Sequence, residues 1–427
     1  MPEPRTTALA QAPYHGARAA PAPLRAPGPP ARPACPGPHR GTFRAPRARG
    51  SFSCSTRAWS FFVLFVLRAR APGPTRPVLP SIEPMEPMEP MAGSSPHPRP
   101  TTVGSALLAW WAQRPPTAGA AVMATGILSV GLDLTGYDVL SRIALAVTVA
   151  AWLGLAADFV LRLLRDPRRW LSESGSPAAL SAVAATTVLG SRLSALGRQT
   201  LAEALLALAV ALWPVLLFLV LRGWRRGMPG AVFLGCVATQ GPAVLGATLA
   251  RAVHTPWLAH VALVFFWLGL ALYTAALYFF DWRQLARGSG DEWVAGGALA
   301  ISALAGTKLL KAGKGPAHLW SGDDQDVLHS MTITLLVLAL AWYVVLWATE
   351  LRWPRPRYDV RRWSTVFPLG MTAVALLSAA SALEAGWLRT PGQVLLWIAV
   401  AACLAVAVGA AEGPLRAVRS VRSTGPR

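Results

Sequence analysis

The stretch RRWSTVFPLGMTAVALLSAASAL, Arg361–Leu383, decides how this chain is read. It is apolar and long enough to cross a bilayer, and the loop before it, from Arg352 to Arg362, carries five arginines. Pro368 falls in its second turn, and the residues after that proline are mostly alanine, serine, glycine and threonine. A helix that only anchored a protein in lipid would use leucine, isoleucine and phenylalanine. Side chains this small suit either close approach of helix backbones or a narrow passage between them.

The rest of the chain has the same character. Of 427 residues, 53% are hydrophobic and 14% charged, and the mean hydropathy is +0.41. A surface facing water needs more charge, so lipid is the expected solvent for much of the chain. Cys35, Cys54, Cys236 and Cys403 lie far apart with no CxxC pair, and His254, His260, His318 and His329 lack metal-ligand spacing. Neither a disulfide framework, a metal nor a cofactor is expected.

Residues 1–114 read as a separate, disordered segment. The first hundred residues hold 22 of the 37 prolines and little that could form a core. WSFFVLFVL (Trp59–Leu67) is too short for a hydrocarbon layer of ~30 Å, and as a signal-peptide core it lacks a cleavage site. MEPMEPMAGSS (Met85–Ser95) reads as the region of the true start, near Met85–Met91.

From residue 115 to 412 apolar stretches of about twenty residues, the length a bilayer requires, alternate with short charged loops. Ten spans are expected, at 118–136, 139–164, 178–197, 200–222, 229–250, 256–281, 293–311, 326–351, 363–385 and 391–411, with a basic cytoplasmic tail at 413–427. With a cytoplasmic N-terminus, the inward loops and the tail hold 18 Lys and Arg, against 8 in the outward loops. This is the positive-inside asymmetry. It accounts for the net charge of +20 without a nucleic-acid partner, and it places both termini in the cytoplasm.

The spans also alternate in bulk. The odd ones contain four aromatic residues and the even ones sixteen. The chain therefore reads as five helical hairpins, each with a small-residue inner helix and a bulky, lipid-facing outer helix. Whether the inner helices enclose a passage or simply pack tightly stays open on composition alone.

The ninth span opens W-x-x-x-F-P-L-G (Trp363, Phe367, Pro368, Leu369, Gly370), and the first reads RPPTAGAAVMATGILSVGL (Arg114–Leu132). With ten spans and small-residue inner helices, these stretches resemble the tellurite-resistance/C4-dicarboxylate transporter family, which includes TehA-type proteins and slow-type anion channels. The resemblance covers roughly residues 115–412. It implies an all-α polytopic membrane protein, ten helices as five hairpins around a central pore, commonly a homotrimer. It also implies that Phe367 is the pore gate; physically, a bulky apolar ring among small residues would constrict and dewet a narrow conduit. Pro368 cannot donate to the carbonyl one turn back, and Pro242 repeats the device in the fifth span.

Pore-lining candidates on the odd spans are Gly126, Ser129, Thr186, Thr187, Gln240, Pro242, Ser302, Thr372 and Ser378. Gln240 could equally bond a neighbouring helix. Five inner helices running in parallel aim their positive N-terminal ends at the cytoplasmic mouth, and Arg192 and Lys308 are candidate mouth charges at the outer end. A small anionic solute is expected. Asp158 and Arg162 read as a local i,i+4 ion pair, with proton coupling the alternative.

The expected function is therefore an integral plasma-membrane channel or transporter for small inorganic anions, oxyanions or C4-dicarboxylates. The alternatives are a proton-coupled carboxylate or sulfite exporter, and a non-conducting assembly protein. An enzyme is not expected. GYDVL (Gly136–Leu140) and GSGD (Gly288–Asp291) fall at opposite membrane surfaces, so their aspartates could not share a proton.

Overall fold

A computed structural model describes residues 119–423 apart from 289, 315–319 and 355–358. The N-terminal segment 1–114 with its WSFFVLFVL run and the start near Met85–Met91, His318, and the last four residues of the tail lie outside the described residues. Ten long helices succeed one another: α1 (Gly119–Leu134), α2 (Asp138–Arg165), α3 (Ser181–Ala195), α4 (Gln199–Arg222) and α5 (Leu234–Ala252), then α6 (Pro256–Phe279), α7 (Trp293–Gly313), α8 (Gly322–Arg352), α9 (Trp363–Ala382) and α10 (Arg389–Ser423). No strand occurs among the described residues, only an isolated bridge between Met228 and Phe280. The fold is all-α.

Local chemistry sets the helix boundaries. Pro256 opens α6 at a position whose N–H has no helical partner. Ser321 caps α8, its hydroxyl accepting from the Asp324 N–H, and Asp323 and Asp324 complement the helix dipole there. Helices α3, α5 and α9 each begin with a short 3₁₀ turn, at Pro177–Leu180, Gly230–Phe233 and Val360–Arg362. The final helix runs to Ser423, past the expected span end at 411, because its leucine, alanine and arginines all favour helix.

Nine of the helical segments among the described residues are long and apolar enough to cross a bilayer; Gly119–Leu134 is apolar but shorter. Burial splits them into two sets. In the most apolar window, 94% of residues are buried in both α5 and α7, against 6% in α2. The even helices leave Leu153, Val215, Phe218, Val264 and Val344 exposed. Apolar surface this continuous belongs in lipid.

Packing obeys the same division. Each odd helix packs on the even helix after it, and α1, α3, α5, α7 and α9 also pack on one another in sequence, with α9 returning to α1. The inner helices thus close a five-membered ring. Small residues bring the two layers together: a Cβ on Gly246 would stand 3.4 Å from Ala262 of α6, and one on Gly306 would overlap Thr332 of α8.

The tight turns between hairpin partners share one device. Gly136 joins α1 to α2 at φ 86°, and Gly197 joins α3 to α4 at φ 77°. The corresponding residues between α5 and α6 and between α9 and α10 are His254 (φ 54°) and Glu384 (φ 58°). A side chain in this left-handed region costs ~1–2 kcal/mol, partly offset by the larger unfolded-state entropy of glycine. His254→Gly is therefore expected to stabilise by about 0.5–1 kcal/mol, read as a rise in melting temperature in detergent. No change, or a fall, would show that the imidazole contributes more than its backbone strain removes.

Candidate functional site

Phe367 lies in the second turn of α9 and is 1% exposed. Its direction comes from helix geometry. The leucines that meet α10 are Leu376 and Leu377, whose side chains lie within 3.3 Å of where a Cβ on Gly392 would stand. Leu376 and Leu377 are nine and ten residues from Phe367, which at about 100° per residue places the face that meets α10 between about 80° and 180° around the helix from it. Phe367 therefore turns away from its outer helix. Its ring reaches α7, where a Cβ on Gly297 would stand 3.3 Å from Phe367 Cε1 and 3.0 Å from Pro368 Cγ. The absence of a side chain at Gly297 is what lets the ring and the proline lie there.

Pro368 leaves the carbonyl of Ser364 without its helical donor. One turn on, the Thr372 hydroxyl donates to the Pro368 carbonyl at 2.9 Å. Ser378 sits eleven residues after Phe367, almost directly above it on the helix. Its hydroxyl is buried and has no hydrogen-bond partner among the described residues.

The other candidates fall into distinct environments. Gln240 donates to the Phe266 carbonyl of α6 at 3.0 Å and lies against Gly269; it faces an outer helix, the second of its two expected roles. Thr186 accepts from Trp152 Nε1 of α2 at 3.0 Å. It lines a cavity of about 330 Å³ between α2, α3 and α4, which lies between the two layers rather than inside the ring. Thr187 meets Gly241 where α3 and α5 touch, and Gly126 lies against Val188 and Thr148. Ser302 donates to the Ala298 carbonyl and lies 3.8 Å from Cys236 Sγ, between α7 and α5. Pro242 is buried mid-way along α5. These residues are where the inner helices meet each other or their outer partners.

At the end of the ring where the hairpin turns lie (the turn end), Arg192 is 2% exposed and tied to two helices. Its Nη2 pairs with Asp133 of α1 at 2.9 Å, and its Nε donates to the hydroxyls of Ser129 and Ser141, each at 3.2 Å. The two serines lock to each other, Ser129 donating to the Ser141 carbonyl at 2.8 Å and Ser141 to the Ser129 carbonyl at 2.7 Å. Ser129 is thus part of a joint between α1, α2 and α3. Nearby, Lys311 donates to Ser381 at 2.6 Å and Lys314 pairs with Glu384 at 2.9 Å. The Lys314 ammonium holds the Glu384 carboxyl below the usual carboxylate range. At the opposite end Arg162 bridges Asp158 (2.9 Å) and Glu173 (2.6 Å), so the expected i,i+4 pair is present with a second carboxylate added.

Comparison with known families matches residues 113–411 to SLAC1, the voltage-dependent anion channel family. The chain belongs to that family. No curated protein matches it. The match spans all ten long helices but the last turns of α10, and it agrees with the resemblance carried by the ninth and first spans. The chain is a multi-pass membrane protein of an anion-transporting family.

The sequence alone groups Arg192 with Lys308 as mouth charges at the outer end. The structure distinguishes them: Arg192 is consumed by an ion pair, whereas no hydrogen-bond partner among the described residues meets the Lys308 ammonium. Register puts the three at one level, since Asp133, Arg192 and Lys308 each come two residues after a glycine, but it does not say which two pair.

Proposed function

We propose that this protein is a plasma-membrane anion channel or transporter whose solute moves along the axis of the inner ring, past a gate formed by Phe367. The observation that carries this reading is the direction of Phe367. A large apolar ring, beside a proline and on the face turned away from the outer helix, constricts a ring of helices otherwise built from small residues. Such a constriction holds back ions by excluding water. Small inorganic anions, oxyanions and C4-dicarboxylates are the solute classes. The parallel helix N-termini at the mouth opposite the turn end favour negative charge there. Ten spans, both termini in the cytoplasm and a homotrimeric assembly complete the reading. Its candidate lining reduces to Phe367, Pro368, Ser378 and Lys308.

Reconstitution of the full chain into liposomes tests it. Loaded chloride, nitrate, sulfite or malate should leave faster than from protein-free vesicles. Uptake of labelled solute against an imposed pH gradient then separates a channel from a coupled carrier. Flux equal to that of empty vesicles for all four anions would leave the assembly-protein alternative in its place.

A further inference from the structure

The inner helices repeat one short register at the turn end. Gly131, Gly246 and Gly306 each face an outer helix: their missing side chains make room for Leu396 of α10, Ala262 of α6 and Thr332 of α8, whereas Gly190 lies nearest Leu245 of α5. The residue two positions later is rotated by about 200° and so points to the opposite side, into the ring. After the three glycines that face outer helices those residues are Asp133, Thr248 and Lys308.

Exposure marks the same level. Between Trp293 and Leu310 every residue of α7 is buried except Lys308. From Val232 to Ala250 every residue of the α5 segment is buried except Thr248. Two inner helices that are otherwise sealed open at this level, which describes a vestibule at the turn end rather than scattered surface. Lys308 also lies within electrostatic range of Asp133. Since α1 and α7 are not neighbours in the ring, that coupling runs across its interior.

Charge pairing in this vestibule is incomplete. Asp133 is taken by Arg192 and Glu384 by Lys314. Lys308, Lys311 and Arg251 lie in range of one another, and among the described residues none of the three pairs with a carboxylate. Like charges this close repel, and partial burial of Lys308 strengthens the repulsion. The carbonyl ends of α5 and α7 offset part of it. A net positive vestibule remains, and a small anion among the three cations would relieve it.

We propose that the turn end of the ring is an anion-binding vestibule in which Lys308 is the innermost contact and Lys311 and Arg251 complete the cage. Arg192 acts as a positioning residue: by holding Asp133 against α3, it keeps that carboxylate from neutralising Lys308. The inference rests on the anion-transport reading above, and it adds where the solute binds.

Binding and flux test it separately. The melting temperature of the full chain in detergent is titrated with sodium chloride, with sodium gluconate holding ionic strength constant. A saturable rise is expected for the wild type. In Lys308→Gln the apparent affinity should be about tenfold weaker, the loss expected on removal of one charge-assisted contact. Lys314→Gln removes the same charge from an existing ion pair and should leave the affinity unchanged. Because Arg251 is exposed, Arg251→Gln serves as a second variant that leaves the ring intact, and it too should weaken binding. Equal affinity in Lys308→Gln and Arg251→Gln to that of the wild type, or equal loss in Lys314→Gln, would overturn the vestibule. Saturable chloride binding without flux would instead keep the site and remove the transport reading.

Discussion

Phe367→Ala is expected to raise passive anion flux from proteoliposomes by about tenfold or more, the effect of lowering a barrier by ~1.4 kcal/mol. On the proposed reading Phe367 is the aromatic ring on the inward face of α9, and without it water can wet the narrowest zone. Stability supplies the second half of the result. A fully packed phenylalanine replaced by alanine costs ~3–5 kcal/mol through lost transfer energy and an unfilled cavity. Phe233 is such a residue, fully buried with the rings of Tyr273 and Phe280 at 5.2 and 5.4 Å. Phe367 is as fully buried as Phe233, but on the proposed reading one side of its ring borders the passage, so less packing is lost there. Its alanine variant should melt above Phe233→Ala and leak more than the wild type. A non-leaky Phe367→Ala that melts as low as Phe233→Ala would identify the ring as ordinary packing.

Asp133→Ala is expected to destabilise the protein by about 3 kcal/mol, the lower part of the range for stranding one member of a buried ion pair. The lower part applies because Asp133 is 31% exposed whereas Arg192 is 2% exposed. Removing the carboxylate leaves a guanidinium sealed among α1, α2 and α3, with Nη1 already lacking a protein partner among the described residues. Arg192→Met should be milder, about 1–2 kcal/mol, since the charge leaves with its partner and Asp133 can reach water. The order of the two melting temperatures decides the point: if Arg192→Met melts below Asp133→Ala, the guanidinium contributes more through its serine contacts than through charge.

Much of this arrangement can be read from residues. Alternating bulk between odd and even spans already separates inner from outer helices, because a residue facing lipid and one facing another backbone meet opposite demands on size. Phe367 beside Pro368 stands out for the same reason, as an aromatic ring next to a helix-breaking residue in a run of small side chains. The role of Gln240 could not be read this way. A glutamine in a membrane helix must find a partner, and which of two faces offers one depends on rotation; here Gly269 on α6 leaves the space and the Phe266 carbonyl takes the bond. Thr186 is similar, drawn outward by the indole of Trp152 thirty-four residues away.

That this chain is an all-α bundle of membrane helices was legible from residue order, since span length and side-chain size are local properties that the bilayer reads one segment at a time. Which charges survive became visible only in three dimensions. Arg192 and Lys308 occupy the same register on two inner helices, and composition treats them alike. One is cancelled because Asp133 comes within 2.9 Å of it across a helix contact; the other stands at the opening of α7, with Lys311 and Arg251 nearby and Asp133 in range but already paired. Electrostatic energy depends on distance and burial, and both are set by the closure of the ring.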